Sequence, residues 1–414
     1  MFILSASIDF SNPYVLIIGA SLIVILSYLF NLIAAKTSVP SVLLLILTGI
    51  IIQQVFIGPE GNGIDFMPAL QILGILGLIM IVLEAALDLE LSREKLPLIG
   101  RTLLVSLLCL LGSTFSIAWI LQAFLSMPFD LAVIDAIPLS IMSSAIIIPS
   151  VGDLIGDKRE FMIYESAFSD ILGIMLFYFA LSYLDEGPAE ASAQFGISFV
   201  LTIVVSIIAS YGLVFFFKDM KGHIRLFLLI SILLLLFSVG KLFHLSPLLI
   251  ILVFGLMLAN HQTFFKIFKN ELDPEDDPIE KIEKEFHLIT LETAFLVRTF
   301  FFVCFGLTIS ISALLDPNVL IVSLAVLILL YVIRTIFLKM IAPNNFLPEL
   351  WIAPRGLITI LLFFAIPEKY QFAGFSNGIL LYVIIISSLV MTFALIANKK
   401  KSQGASTRDT SRDL

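Results

Sequence analysis

Apolar residues fill this sequence in long stretches, and short polar or proline-containing segments separate them. A helix needs ~20 predominantly apolar residues to cross a bilayer, and most of these stretches have that length. The pattern predicts an all-α polytopic membrane protein with thirteen transmembrane helices, which we number as spans in chain order. The predicted spans are 13–35, 40–57, 68–87, 96–125, 131–151, 161–184, 195–217, 224–243, 247–260, 291–309, 319–341, 349–366 and 378–397.

The composition excludes a soluble globular protein. Of the 414 residues, 59% are hydrophobic and only 14% are charged, and the mean hydropathy is +1.09. A water-soluble domain has about 25% charged residues. The chain therefore divides into a transmembrane domain, residues 1–397, and a short basic tail, residues 398–414.

The basic residues predict how the spans are oriented. Cytoplasmic loops collect Lys and Arg, and an N-terminus outside the cell puts 19 of the 24 basic residues on the cytoplasmic side. We therefore predict a multi-pass protein of the plasma or inner membrane with an external N-terminus and a cytoplasmic C-terminus. The acidic loop 271–285 carries much of the net charge of −8. We interpret loop 266–285 as a solvated connector with a short amphipathic piece on the membrane surface.

Neither a metal site nor an enzyme active site is indicated. Cys109 and Cys304 lie in apolar segments and are too few for a disulfide framework. The four histidines have neither metal-ligand spacing nor a nucleophile and base arrangement. The glycine-rich segment 58–63 does not follow a strand, so it does not predict a nucleotide-binding loop. We predict no cofactor, no catalytic residue and no nucleic-acid partner.

Two carboxylates interrupt span six. Glu165 and Asp170 lie at a depth where an ionisable side chain costs several kcal/mol unless it faces protein or a water-filled path. Residues four apart share a helix face, so Ser166 accompanies Asp170 and Ser169 accompanies Glu165. The two carboxylates point about 140° apart and therefore have different roles. We assign Asp170 to an ion path, because a lone carboxylate with nearby hydroxyl and carbonyl oxygens suits Na⁺, K⁺ or a proton.

Several short motifs along the chain resemble those of the monovalent cation/proton antiporter superfamily, which includes the sodium/proton exchangers. The resemblance covers about residues 13–397, and the order and spacing of the motifs carry it. The motifs are Val39-Pro40 with Gly49-Ile50 and Gly58-Pro59, Leu83 to Leu89 around Glu84 and Asp88, Glu165-Ser166 with Asp170, Arg334, and Pro354-Arg355-Gly356.

The resemblance implies a transporter fold of two inverted six-helix repeats, about residues 13–184 and 224–397, joined by the linker helix 195–217. Spans five and twelve would be broken and would cross at the membrane midplane. Broken helices in matching positions of two halves are a general indication of a transporter site. Both spans contain prolines near small hydroxyl residues, which is what a break requires. The resemblance also implies a homodimer in the lipid bilayer.

The resemblance implies specific roles for charged and hydroxyl residues. Asp170 would bind the proton and the cation in turn, and Glu165 would form a structural ion pair with Arg334. Arg355 would place its charge at the helix crossing, where it can offset helix C-terminal dipoles. The hydroxyl residues grouped with Asp170 in the predicted ion site are Ser143, Ser144, Ser166 and Ser169.

Three further charged residues lie within or at the ends of predicted spans. Glu84 and Asp88, one turn apart at the inner end of span three, are candidates for a gate or an interface-level cap, with an ion-ligand role as the alternative. Arg298 lies within span ten, and Glu292 is poorly placed to pair with it on the same helix. Arg298 therefore needs an acidic partner from another helix.

The functional hypothesis is secondary active antiport of a monovalent cation, Na⁺ or K⁺, against protons. Burial disfavours a charged carboxylate, so a proton and a cation would compete for Asp170. Ser169 stands where other branches of the superfamily have Asp or Asn, and we favour one cation per proton. Ser143-Ser144 resembles the potassium-efflux branch, whereas the short tail favours a sodium exchanger. The alternatives are a proton-uncoupled channel or uniporter of the same fold, an organic-anion symporter and a non-transporting sensor.

Overall fold

The computed structural model of the chain describes residues 12–410 except 38, 58–66, 90, 93, 153, 155, 218–223, 243–244, 246, 265–277, 310–315 and 342–345. In these residues the regular secondary structure is helical throughout. The helices are α1 Pro13–Thr37, α2 Ser41–Ile52, α3 Met67–Leu87, α4 Leu96–Leu125, α5 Phe129–Ser140, α6 Ser144–Ser150, α7 Asp157–Glu186, α8 Pro188–Phe217, α9 Ile224–Leu242, α10 Pro247–Ala259, α11 His261–Phe264, α12 Pro278–Leu307, α13 Pro317–Ile341, α14 Leu357–Phe364 and α15 Asn377–Thr410.

Each predicted span corresponds to helix in the structure, and the predicted fold class is confirmed. Within the described residues, nine helical segments are long and apolar enough to cross a membrane, and three shorter apolar helices account for spans two, eight and nine. Span twelve is the short 3₁₀ helix Glu349–Trp351, an extended segment and α14. A π-helical turn, Gln53–Ile57, continues α2.

Three helices extend beyond their predicted spans. Helix α12 begins at Pro278 rather than residue 291, α8 begins at Pro188 rather than residue 195, and α15 continues to Thr410 through most of the predicted tail. A hydropathy window ends where charged residues begin, but a helix can continue into water because its hydrogen bonds are internal. Most of the acidic loop, and the Gly58-Pro59 motif, lie outside the described residues.

The helices pack in two groups. In the scaffold group, α12 packs on α2 and α3, and α10 packs on α3, α8 and α9, with α1 against α2. In the site group, α4 packs on α5, α7 and α13, and α13 packs on α15. The site group contains both interrupted spans, α5 with α6 and the segment ending in α14. The repeat boundaries and the linker role of residues 195–217 stay predictions.

One close approach within the scaffold group requires glycine. A Cβ on Gly49 of α2 would come within 2.8 Å of the Gly306 Cα on α12, and a Cβ on Gly306 would come within 2.9 Å of the Gly49 Cα. Real Cβ atoms do not make such contacts with backbone. The two backbones can therefore touch only because both positions lack a side chain.

The basic face is the one where α1 ends and α4 and α7 begin, marked by Lys36, Lys95, Arg101 and Lys158. The opposite face is the one where α7 ends at Glu186.

Candidate functional site

The site begins where span five stops being helical. Helix α5 ends at Ser140, Ile141 is extended with ψ 132°, and α6 starts at Ser144. Pro138 lies inside α5 and has no amide to donate to the carbonyl of residue 134, which weakens the last turns of the helix. One amide that the break releases is bonded, because Met142 N donates to Ser169 Oγ of α7 at 2.9 Å. The break is therefore stabilised by the helix that carries Asp170.

Span twelve is interrupted at the same place, and the two breaks cross. Residues 352–356 are non-helical before α14, and Ser143 N donates to Pro354 O at 2.9 Å. Gly356 sits against the other break, since a Cβ there would lie 2.6 Å from Ser143 Oγ and 2.8 Å from Ile146 Cδ1. The absence of a side chain at Gly356 lets the two segments touch.

Asp170 lies buried beside this crossing, with 3% of its surface exposed. Its Oδ2 accepts hydrogen bonds from the Ser144 hydroxyl and from Ser144 N, the latter at 3.3 Å. Its Oδ1 is buried and has no hydrogen-bond partner among the described residues, and the same holds for Ser143 Oγ. A carboxylate with one oxygen held and one free is a group that can bind a small cation or a proton.

The other predicted hydroxyls are arranged differently around Asp170. Ser169 Oγ accepts the bond from Met142 N, so it holds the break of span five. Ser166 Oγ donates to Ile163 O of its own helix at 3.1 Å. The Ser166 hydroxyl therefore bonds to the backbone of its own helix, although Ser166 shares a helix face with Asp170. A serine within a helix can donate to a carbonyl of the preceding turn.

Glu165 and Arg334 form a buried bidentate pair. Arg334 Nη1 lies 2.5 Å from Glu165 Oε1, and Nη2 lies 2.9 Å from Oε2. Arg334 also donates to the carbonyls of Glu349 and Leu350, at 2.8 Å and 3.1 Å. Both Glu165 oxygens are thus occupied, and the pair ties α7 and α13 to the start of span twelve.

Arg355 binds backbone carbonyls at the two breaks. Its guanidinium donates to Leu139 O at 3.0 Å, Ser140 O at 3.1 Å and Ala353 O at 2.6 Å. The carbonyls of the last helical turn have no intrahelical partner. Arg355 therefore satisfies the end of α5 and places a positive charge at its negative dipole end.

Glu84 of α3 and Asp88, which directly follows α3, both pair with α12. Glu84 Oε1 lies 3.2 Å from Arg298 Nη2, and Asp88 Oδ1 lies 3.1 Å from His287 Nε2. Arg298 thus has the partner from another helix that its position in the sequence required. Nothing in the sequence identified Glu84 as that partner, because 214 residues separate the two.

Two cavities lie between residues of the two helix groups, and Asp170 lines neither of them. A cavity of about 470 Å³ near the basic face is lined by α1, α2, α12 and α6, including Arg298, Ala145 and Ile146. A cavity of about 430 Å³ near the opposite face is lined by α7, α8 and the α9–α10 region, including Asp185 and Lys241.

A buried acid of α5 was not among the site residues predicted from the sequence. Asp135 of α5 is 2% exposed, and its Oδ2 has no hydrogen-bond partner in the described part of the chain. The signal that could have found it is the one that identified Asp170, a carboxylate within an apolar run. In the described residues, no group of three or more His, Cys, Asp or Glu side chains could hold a metal ion.

Known proteins resemble this chain in sequence and in fold. The family model described as "Sodium/hydrogen exchanger, transmembrane" matches residues 21–399. No curated protein sequence matches the chain. The fold matches a structure of the sodium proton antiporter MjNhaP1 from Methanocaldococcus jannaschii at pH 8, with a TM-score of 0.70 and 20% identity, covering 92% of this chain and 95% of that chain. A 3D EM map structure of the same antiporter matches with a TM-score of 0.65 and 20% identity, covering 95% and 97%.

Proposed function

The chain belongs to the sodium/hydrogen exchanger family, a family of transporters rather than enzymes, and from this premise we propose that it exchanges a monovalent cation, Na⁺ or K⁺, for protons. Asp170 is the carboxylate that both ions share. One observation carries the proposal: Asp170 is buried at the crossing of two interrupted helices, with Oδ2 held by Ser144 and Oδ1 unpartnered.

Competition for Asp170 couples the two ions. A carboxylate in a low-dielectric site is stable when it is neutralised, either by a proton or by a bound cation. The free Oδ1 can take either ion, and neither can bind fully while the other is present. The two ions therefore cross in opposite directions if the site is open to one side at a time.

The arrangement of the helix groups supports alternating access. The cavities near the basic face and the opposite face both lie between the scaffold group and the site group. A movement of the site group against the scaffold group would open one cavity to Asp170 and close the other. Rigid-body movement of one helix bundle around a fixed site is the general mode of secondary transporters.

The remaining charged residues have supporting roles in this proposal. Glu165 and Arg334 neutralise each other and hold α7 against α13, so Asp170 keeps its position. Arg355 stabilises the broken end of α5 when the site is empty. Glu84 and Asp88 act on the basic-face side as gate residues. We further propose a homodimer in the plasma or inner membrane, with the basic face towards the cytoplasm and the N-terminus outside.

Reconstitution into proteoliposomes tests exchange directly. With an imposed pH gradient, we expect added Na⁺ or K⁺ to dissipate the gradient, read from an internal pH dye, and protein-free liposomes to show no response. Titration of Na⁺, K⁺ and Li⁺ identifies the transported cation. Uptake of a radioactive cation that leaves internal pH unchanged would instead support the uncoupled channel or uniporter.

Replacing Ser144 with Ala is expected to raise the apparent KM for the cation about tenfold. A hydrogen bond to a charged group contributes ~1.5–3 kcal/mol, and Ser144 provides one from its hydroxyl to Asp170 Oδ2. Without that donor the carboxylate is less stable in its charged form, so protons compete more strongly with the cation. KM is measured in the proteoliposome assay at constant pH.

Ser210→Ala is the matched control for Ser144→Ala. Ser210 is buried in α8, and its hydroxyl donates to Ser206 O of its own helix at 2.7 Å. We expect the Ser210 variant to keep the wild-type KM. An equal rise in KM for both variants would contradict a specific role for the Ser144 hydroxyl.

A further inference from the structure

A missing backbone donor leaves one carbonyl of α6 without its helical partner. In an α-helix the carbonyl of residue 145 accepts from the amide of residue 149. Residue 149 is proline and has no amide proton. The Ala145 carbonyl instead accepts from Arg298 Nη1 of α12 at 3.3 Å. A hydrogen bond from a guanidinium of the scaffold group thus takes the place of a backbone hydrogen bond within the site group.

Arg298 has an alternative position available within its own helix group. Its Nη2 bonds Glu84 Oε1 at 3.2 Å, and Glu84 is 5% exposed. The second oxygen, Glu84 Oε2, is buried without a hydrogen-bond partner among the described residues. Guanidinium and carboxylate groups pair best through two parallel hydrogen bonds. If Arg298 left Ala145, Glu84 could accept both of its terminal nitrogens.

The contact between Arg298 and Ala145 lies at the cavity near the basic face. Arg298 and Ala145 both line the cavity of about 470 Å³. Ala145 directly follows Ser144, whose amide and hydroxyl hold Asp170 Oδ2. A carbonyl oxygen that has no backbone donor is also a suitable ligand for a hard monovalent cation.

We propose that the Ala145 carbonyl is a first ligand for the cation that approaches Asp170 through this cavity, and that Arg298 occupies it while the cation is absent. The arriving cation displaces the guanidinium, which then pairs with both oxygens of Glu84. Arg298 is a positioning residue. While no cation is bound, its guanidinium provides the positive charge at the Ala145 carbonyl. This inference rests on the proposed exchange of a monovalent cation for protons.

The test is the apparent KM of the double variant E84Q/R298Q, which removes both charges and leaves neither unpaired. The cation is titrated from each side of proteoliposomes whose protein orientation has been determined by protease cleavage of the C-terminal tail. With the competing guanidinium gone, KM at the basic face is expected to fall about tenfold, equivalent to ~1.4 kcal/mol of binding free energy. KM for cation added at the opposite face is expected to stay within about twofold of the wild-type value. A general folding defect would change both sides alike.

Two comparison variants separate charge from packing. R298K keeps the positive charge and is expected to keep the basic-face KM within about twofold of wild type. K95Q/E160Q removes another ion pair near the basic face, 3.0 Å between its charged atoms, that does not line this cavity. We expect its KM to be unchanged at both faces.

P149A tests whether the Ala145 carbonyl is the group for which the guanidinium and the arriving cation compete. The new amide at position 149 can donate to that carbonyl and reduce its availability to either cation. In the P149A background, E84Q/R298Q is expected to lower the basic-face KM by less than about threefold.

Three results would overturn this inference while leaving the proposed function intact. They are an unchanged or raised basic-face KM in E84Q/R298Q, an equal change at both faces, and the same tenfold fall with and without P149A. Absence of any proton-coupled cation movement by the wild-type protein would instead overturn the proposed function.

Discussion

Replacing Asp170 with Asn is expected to lower the rate of proton-coupled cation exchange at least about a hundredfold, while the protein still folds. The amide has the shape of the carboxylate and can still accept the hydrogen bonds from Ser144. It carries no negative charge, so an alkali cation in this buried site would be an uncompensated charge that costs several kcal/mol. Each ~1.4 kcal/mol reduces occupancy tenfold. The amide also cannot carry a proton in exchange.

The measurement is cation-dependent dissipation of an imposed pH gradient in proteoliposomes, with size-exclusion chromatography as the test of folding. Asp157→Asn is the matched control, since it makes the same chemical change on the same helix. Asp157 is exposed in the first turn of α7 at the basic face and lines neither cavity, and we expect its variant to exchange at the wild-type rate. Retention of proton-coupled exchange by Asp170→Asn would remove Asp170 from the mechanism.

Replacing Glu165 with Gln is expected to destabilise the fold by ~3–5 kcal/mol, the usual effect of removing one partner from a buried ion pair. Arg334 would remain 5% exposed and charged, with no carboxylate to compensate it. We expect a lower yield of folded protein and a thermal unfolding midpoint in detergent lowered by roughly 5 °C or more. Exchange falls as well, because α7 positions Asp170.

The double variant E165L/R334M distinguishes the unpaired charge from lost packing. It removes both charges, and apolar residues in place of a buried pair are often neutral or stabilising. Arg334 also satisfies the carbonyls of Glu349 and Leu350, so we expect recovery of only about half of the lost stability. A Glu165→Gln protein with the wild-type midpoint would show that the pair does not hold α7 in place.

The local features of the fold were readable from sequence. The spans follow from apolar length, because bilayer thickness sets how many residues a helix needs. The resemblance to the antiporter superfamily implied the two breaks, and the prolines in those spans supported it, because proline lacks a backbone donor. The position of Asp170 within the membrane follows from the apolar residues of span six on either side of it. These are properties of single segments, so they do not depend on what packs against them.

Contacts between segments depended on the tertiary structure. The sequence placed Ser166 and Asp170 on one face of span six, yet the hydroxyl bonded to Asp170 belongs to Ser144, 26 residues away. The partner of Arg298 proved to be Glu84, on a helix far away in the chain.

The sequence by itself determined which stretches are apolar enough to lie in the membrane and that Glu165 and Asp170 are buried within one of them. The resemblance added which two spans are broken. The resemblance also implied the Glu165–Arg334 pair and grouped Ser144 with Asp170. Only the tertiary structure decided the other polar contacts, because they depend on how each helix is rotated and how closely it approaches its neighbour. Gly49 and Gly356 show the reason. The missing side chain faces the backbone of α12 at Gly49 and the Ser143 and Ile146 side chains at Gly356. One sequence gives no direct sign of which distant residues these are.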